Sequence, residues 1–344
     1  MKQLTHEDGY QVLLLQAADD GRGPILFGDS VERARTEALP FLLGEEFPDV
    51  YFEFPLIGAP FLDVTLLYSK LDPGTRVDSP AAGEHGGLLD WFASICDEYE
   101  GASCGFELDT KEAVLPEAAV HFQPRQSTEL VRPFFEAIGE PERADLYLKT
   151  AEKMAPDWSL SFFGLFRGRP NSPLRVCGYI STNGQEKCAE DPRRITSLFD
   201  AMGFTAYDDA MLQQISALMA TKPKGADFQL DVYPDGSVSP VFAVDVQFGI
   251  EQPEAVRAAF TNGLASRVMG LLEGWGAADS RWKLGGDIAF ARSLPVELDG
   301  GDTGRYAFTL MPQWTKARWI DGVLQPAKLY LLAKAGMLNG SEKK

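Results

Sequence analysis

The chain has 344 residues, 45% of them hydrophobic, and 32 basic against 50 acidic side chains give it a formal net charge of −18. Such a surface repels a phosphate backbone or an anionic bilayer unless a basic patch offsets it, and no basic run exceeds the terminal Lys343-Lys344 pair. No stretch of about 18 apolar residues and no basic-then-apolar leader occurs, so the expectation is a cytoplasmic protein with neither nucleic-acid nor membrane partners. Cys96, Cys104, Cys177 and Cys188 show no CxxC spacing and read as reduced structural thiols.

In chain order, Asp29-Ser30 caps a helix over Val31 to Leu43. The first hairpin follows, Val50 to Leu56 and Phe61 to Ser69 across Ile57-Gly-Ala-Pro60. A helix over Leu88 to Tyr99 leads to a second, Ser103 to Asp109 with Ala118 to Gln123. Helices over Glu129 to Ile138 and after Pro141 precede a third, Ser159 to Arg167 with Leu174 to Ser181. Asp191-Pro192 opens a helix to Met202, and another spans Tyr207 to Ala220. The fourth hairpin is the clearest: Phe228 to Tyr233 and Val241 to Phe248 alternate strictly around Pro234-Asp-Gly-Ser237. A long helix from Pro253 to about Gly270, a fifth hairpin of Asp287 to Ser293 with Tyr306 to Met311, and a strand over Ala327 to Ala333 complete the set.

The spacing predicts one domain of about five α-β-β-α units over roughly residues 30 to 335. Each hairpin is apolar on one face and polar on the other. A ring of about ten antiparallel strands, helices outside and polar face inward, satisfies that pattern and removes exposed sheet edges. The expected fold class is therefore α+β, a ten-stranded antiparallel β-barrel with a polar lumen. The competing arrangements are an open sheet, or two α+β domains divided near Trp158.

This order resembles the aromatic prenyltransferases of the ABBA type, the PT barrels. Phe61-Leu-Asp-Val-Thr-Leu66 resembles an early strand whose aspartate helps hold magnesium, which implies Asp63 as a metal ligand and Mg2+ as a cofactor. Val232-Tyr-Pro234 and Ala327-Lys-Leu-Tyr-Leu331 resemble strands whose tyrosine and basic residue meet a diphosphate, implying those roles for Tyr233 and Lys328. The resemblance implies transfer of an allylic group from a prenyl diphosphate to an aromatic small molecule or peptide side chain.

Strand parity assigns lumen residues to the needs of that chemistry. Arg175, Tyr233, Arg292 and Lys328 offer charge and hydroxyls to a leaving diphosphate, with Arg167 near a rim. Tyr51, Phe163, Tyr179, Tyr233 and Tyr330 offer ring faces to an allylic cation. Glu53 and Glu107 are candidate proton acceptors, and His121, sharing a face with Gln123, a candidate acid or base. Against these cations stand Glu53, Asp63, Glu107, Asp231, Asp245 and Asp287, and an acid-rich lumen repels a diphosphate unless cations intervene. The alternative is a barrel, catalytic in another way or not at all, that encloses a cationic or neutral ligand. A basic cluster at one end of the lumen favours transfer; a uniformly acidic lumen favours the alternative.

Other motifs carry less. Gly101-Ala-Ser-Cys-Gly105 fits a nucleophile elbow in spelling, but a helix precedes it and a strand follows, the reverse of the order that chemistry needs. No GxGxxG joins a strand to a helix. Asn339-Gly-Ser341 spells a glycosylation sequon.

Overall fold

The computed structural model describes residues 5–44, 46–79, 85–111, 116–124, 127–297 and 303–338; the Asn339 sequon and the Lys343-Lys344 tail lie outside them. The first four expected hairpins form β1 (Asp49–Pro55) with β2 (Asp63–Tyr68), β3 (Ser103–Leu108) with β4 (Ala119–Gln123), β5 (Trp158–Leu165) with β6 (Leu174–Ile180), and β7 (Gly225–Val232) with β8 (Val238–Gln247). The C-terminal strands are β9 (Phe290–Glu297), β10 (Thr303–Ile320), β11 (Val323–Leu324) and β12 (Lys328–Leu338).

Every pairing is antiparallel from β12 through β1 to β8, and β10 pairs with β12 on one side and β8 on the other. The ring closes with ten strands, surrounded by helices. Its membership differs from the expected one. β9 pairs only with the Thr303–Leu310 half of β10 and lies off the ring, so the Asp287 to Ser293 segment is not barrel wall. The closing strand is instead the second half of β10, where Trp314 to Ile320 pair with Gln247 to Val241. Pro312 ends the expected strand at Met311 because it cannot donate to a ladder. In the structure the register shifts between Pro312 and Trp314, and the strand continues.

The outer face of the wall is apolar because helices cover it. Val50, Phe52 and Phe54 of β1, Val64 and Leu66 of β2, and Phe228, Leu230 and Val232 of β7 are all buried in the main core. Helices His6–Ala18, Arg22–Leu26, Thr182–Glu190 and Trp282–Gly285 add to those expected. The long helix after Pro253 is two, Pro253–Thr261 and Leu264–Gly274, because Asn262 and Gly263 leave helical angles.

One strand inverts the expected parity. β5 bulges between Leu160 and Phe162, so Phe162 faces the lumen and Phe163 turns outward, stacking on Phe135 at 5.0 Å between ring centroids. Phe163 is thus a core residue. The four cysteines are buried and free. Among the described residues no helix is long and apolar enough to cross a membrane.

Candidate active site within the barrel

Inward side chains divide the lumen into two chambers that share Glu53, Glu107, Arg175, Gln229 and Lys316 at a common waist. Their chemistry differs. The chamber at the end where hairpin turns join the strands is lined by six cationic side chains, Lys111, Arg169, Arg175, Lys316, Arg318 and Lys328, against three carboxylates, Glu53, Glu107 and Asp231. The chamber at the other end is lined by Tyr51, Phe122, Phe162, Tyr179, Trp314 and Tyr330, with four carboxylates against Arg175 and Lys316. Charge and aromatic surface are therefore segregated along one axis.

Several cations are held by acids. Arg175 forms a two-point pair with Asp231, Nε to Oδ1 at 2.8 Å and Nη2 to Oδ2 at 3.2 Å. Arg169 bonds Asp109 at 2.9 Å and Glu107 at 3.4 Å. The Phe166 ring lies 3.9 Å from the Arg169 guanidinium and 4.2 Å from that of Arg175, fixing both. Arg318 is different. Its Nε is buried without a hydrogen-bond partner, and no ion pair holds it among the described residues. Burial and the charge of Arg175 push its pKa down. A half-buried guanidinium whose Nε has neither water nor an acid is a site for an anion.

Lys328 bridges Glu53, in close contact, and Asp63 at 3.2 Å. Asp63 also accepts the Thr110 N–H at 2.9 Å, so both of its oxygens are engaged. Burial pushes Asp63 up to about 7 despite Lys328. Glu53, which burial would also raise, is held below its ordinary range by Lys328 and Lys316. These surroundings do not fit Asp63 as a magnesium ligand: an ammonium takes the place of the cation, and no group of three or more acidic, His or Cys side chains converges among the described residues.

At the waist, His121 Nε2 lies 2.9 Å from Glu107 Oε2. Burial would raise Glu107, but the hydrogen bond and charge of His121, with Arg169 and Arg175, hold it well below the carboxylate range. The imidazole reaches this position because its cross-strand partner is Gly164, where a Cβ would stand 2.9 Å from the ring. In the aromatic chamber, Trp314 lies 4.9 Å from Tyr51 and stacks on Tyr330 at 5.0 Å between centroids. Lys316 stands 4.7 Å over the Tyr330 ring.

The buried acids set the pH dependence of stability. Asp63 and Asp227 are raised to about 7 and Asp245 to about 6, in each case first by burial. A folded value above the unfolded one stabilises at low pH, and that contribution is lost as pH rises through 6 to 7. Glu53, Glu107 and Asp231, held low, contribute above the ordinary carboxylate range and lose their contribution on acidification. Stability is therefore expected to peak near pH 4 and to fall by about 3 kcal/mol or more towards pH 8, with Asp227→Asn flattening the decline. Denaturant titrations across that interval check this; a rise in stability would contradict it.

Of the residues expected from sequence, Glu53, Glu107, His121, Arg175, Tyr51, Tyr179 and Tyr330 line the chambers, and Lys328 and Asp63 meet beside the cationic one. Arg292 does not join them: it is exposed on β9, opposite Phe308, outside the ring. Asp287 also lies outside, paired with Arg257 at 3.2 Å. Arg167 turns away from the lumen to bond Glu140 at 2.7 Å. Tyr233 sits half-buried in the β7–β8 turn, where its N–H bonds Ser237 O at 2.9 Å, and lines neither chamber. Sequence reading missed Trp314, Lys316 and Arg318, three alternate residues of β10, and Arg169 in the β5–β6 turn. The alternation beyond Pro312 was the available signal.

No protein-family model matches the chain, and no curated protein matches its sequence. Solved structures match nearly end to end. One is 5-dimethylallyl tryptophan synthase from Streptomyces coelicolor in complex with DMASPP and Trp, with TM-score 0.51, 13% identity and coverage of 97% of this chain and 95% of that one. Another is the prenyltransferase PriB in ternary complex with L-tryptophan and dimethylallyl thiolodiphosphate, with TM-score 0.51, 13% identity and 96% coverage of each chain. A third is AnaPT from Neosartorya fischeri, with TM-score 0.52, 10% identity and coverage of 99% of this chain and 96% of that one. At such identities the likeness is one of fold. The fold is the PT barrel of the ABBA-type aromatic prenyltransferases.

Proposed function

We propose that the chain transfers an allylic prenyl group from a prenyl diphosphate to an aromatic acceptor inside the barrel. The observation that carries this reading is the segregation of the lumen: a net-cationic chamber meets an aromatic one across a waist of Glu53 and Glu107. A uniformly acidic lumen would have favoured the ligand-binding alternative. The diphosphate occupies the cationic chamber, where Arg318 lacks an anion and Lys111, Lys316 and Arg169 add charge. These fixed cations stabilise the leaving group as the carbon–oxygen bond breaks, without a divalent ion at Asp63.

The allylic carbon then lies towards the waist, and the faces of Tyr330, Trp314 and Tyr51 exclude water and favour the cation. An acceptor ring in the aromatic chamber donates its electrons to that carbon, forming the new carbon–carbon bond. The ring proton passes to Glu107, whose charge His121 stabilises. A carboxylate held low is a weak base, but the alkylated ring cation is a strong acid, so a weak base suffices.

Calorimetric titration with dimethylallyl thiolodiphosphate, with and without magnesium, tests the donor site. Micromolar binding in both conditions is expected. Absence of binding in both would sink the reading, and binding only with magnesium would sink the fixed-cation account of the leaving group.

A further inference from the structure

The aromatic chamber contains an arrangement that prenyl transfer alone does not require. Asp227 of β7 and Asp245 of β8 are direct cross-strand partners and both line that chamber. Like charges in this relation destabilise a sheet, and here the two residues are only 7% and 4% exposed. Each carboxylate is fixed through one oxygen: Gln247 Nε2 donates to Asp227 Oδ2 at 2.7 Å, and Gln229 Nε2 to Asp245 Oδ2 at 2.5 Å. The other oxygen of each, Oδ1, is buried with no hydrogen-bond partner. Lys316 stands 4.0 Å from Asp245 Oδ1, and no cation among the described residues pairs with Asp227. Trp314 Nε1 is likewise buried and unbonded.

Buried acceptors without donors are costly unless something arrives to satisfy them. Of the chamber's own cations, Arg175 is committed to Asp231, and Lys316, over the Tyr330 ring, reaches only Asp245 and at 4.0 Å, which leaves Asp227 without one. What is missing is a compact group with several N–H donors and a positive charge, next to flat apolar surface. We propose that the acceptor is an aromatic amine whose protonated nitrogen docks against Asp227 and Asp245 while its ring lies among Tyr51, Trp314 and Tyr330. The identification of this ligand as the acceptor rests on the prenyl-transfer reading. An ammonium supplies three donors, enough for both free oxygens, and its charge offsets the repulsion between the two acids. A neutral isostere leaves both oxygens unpaired, and a ligand with a carboxylate in that position adds a third negative charge.

The test is calorimetric titration of the full chain with two matched pairs, tryptamine against 3-ethylindole and tyramine against 4-ethylphenol. Each pair shares a ring and differs in the amine. At least one amine is expected to bind about tenfold or more tightly than its neutral partner, and Asp227→Asn, of nearly unchanged shape, is expected to abolish the preference. Asp245→Asn is a second variant should the first not fold. Equal binding within both pairs, no detectable binding of either amine, or a preference that survives both substitutions would overturn the inference and leave a dyad satisfied by a shared proton. Dimethylallyl thiolodiphosphate, titrated separately, distinguishes the two readings. Donor binding without an amine preference sinks the amine site alone. An amine preference without donor binding sinks prenyl transfer and leaves a barrel for cationic aromatic ligands.

Discussion

Replacing Arg318 with methionine is expected to weaken dimethylallyl thiolodiphosphate binding by about ten- to a hundredfold and, in the same protein, to raise stability. The two effects share one cause. Arg318 is a half-buried cation beside Arg175, its Nε sealed from water and without a bonded acid, and its pKa is driven down by burial and that neighbour. Without ligand it costs folding energy, and exchange for an apolar chain of similar length removes that cost, for a gain of about 1 kcal/mol or more. With a diphosphate present, the same guanidinium gains a charge-assisted partner. Denaturant unfolding and calorimetry on one preparation read both effects. Weaker binding accompanied by lower stability would place Arg318 in the framework of the barrel rather than at an anion site.

Lys328→Met is expected to act with the opposite sign on stability. Its ammonium bridges Glu53 and Asp63, whose side chains are 7% and 4% exposed, so removal leaves two acids facing each other with only the more distant Lys316 as a counter-charge to Glu53. A loss of about 3 kcal/mol is expected at pH 7 to 8. Both acids then carry folded-state pKa values above their unfolded ones, so the deficit relative to the wild type shrinks as pH falls towards 5. A deficit constant from pH 5 to 8 would contradict this account. Weaker donor binding by a Lys328 variant therefore reports a collapsing acid pair as well as a lost contact, which makes Arg318 the cleaner probe of the donor chamber.

The barrel was legible because strict alternation around short turns leaves little choice of facing. From Phe228 to Val232 and from Phe242 to Phe248 every second side chain is apolar, and the structure buries that set against the helices. Parity also brought Glu53, Glu107, His121, Arg175 and Tyr330 to one lumen. It failed where the backbone departs from a two-residue repeat. The β5 bulge exchanged Phe163 for Phe162. The irregularity at Pro312 concealed Trp314, Lys316 and Arg318, and with them two of the six cations of the cationic end. Arg292 was misplaced for a related reason: β9 alternates as a barrel strand would, and only the pairing partners of β10 show that it lies off the ring. Ion-pair partners were not legible at all. Whether an arginine is neutralised, as Arg175 is, or left without an acid, as Arg318 is, depends on residues far apart in sequence.

The seam that closes the ring joins strands far apart in the chain, β12 to β1 and β10 to β8. During synthesis the wall from β1 to β8 emerges first, as a curved sheet with a bare strand at each margin. Those margins display unpaired N–H and C=O groups that invite pairing with another copy. The strands made after β8 thus serve the nascent chain as its protection against self-association. Both chambers depend on the same late event, since Trp314, Lys316, Arg318, Lys328 and Tyr330 all arrive on the closing strands.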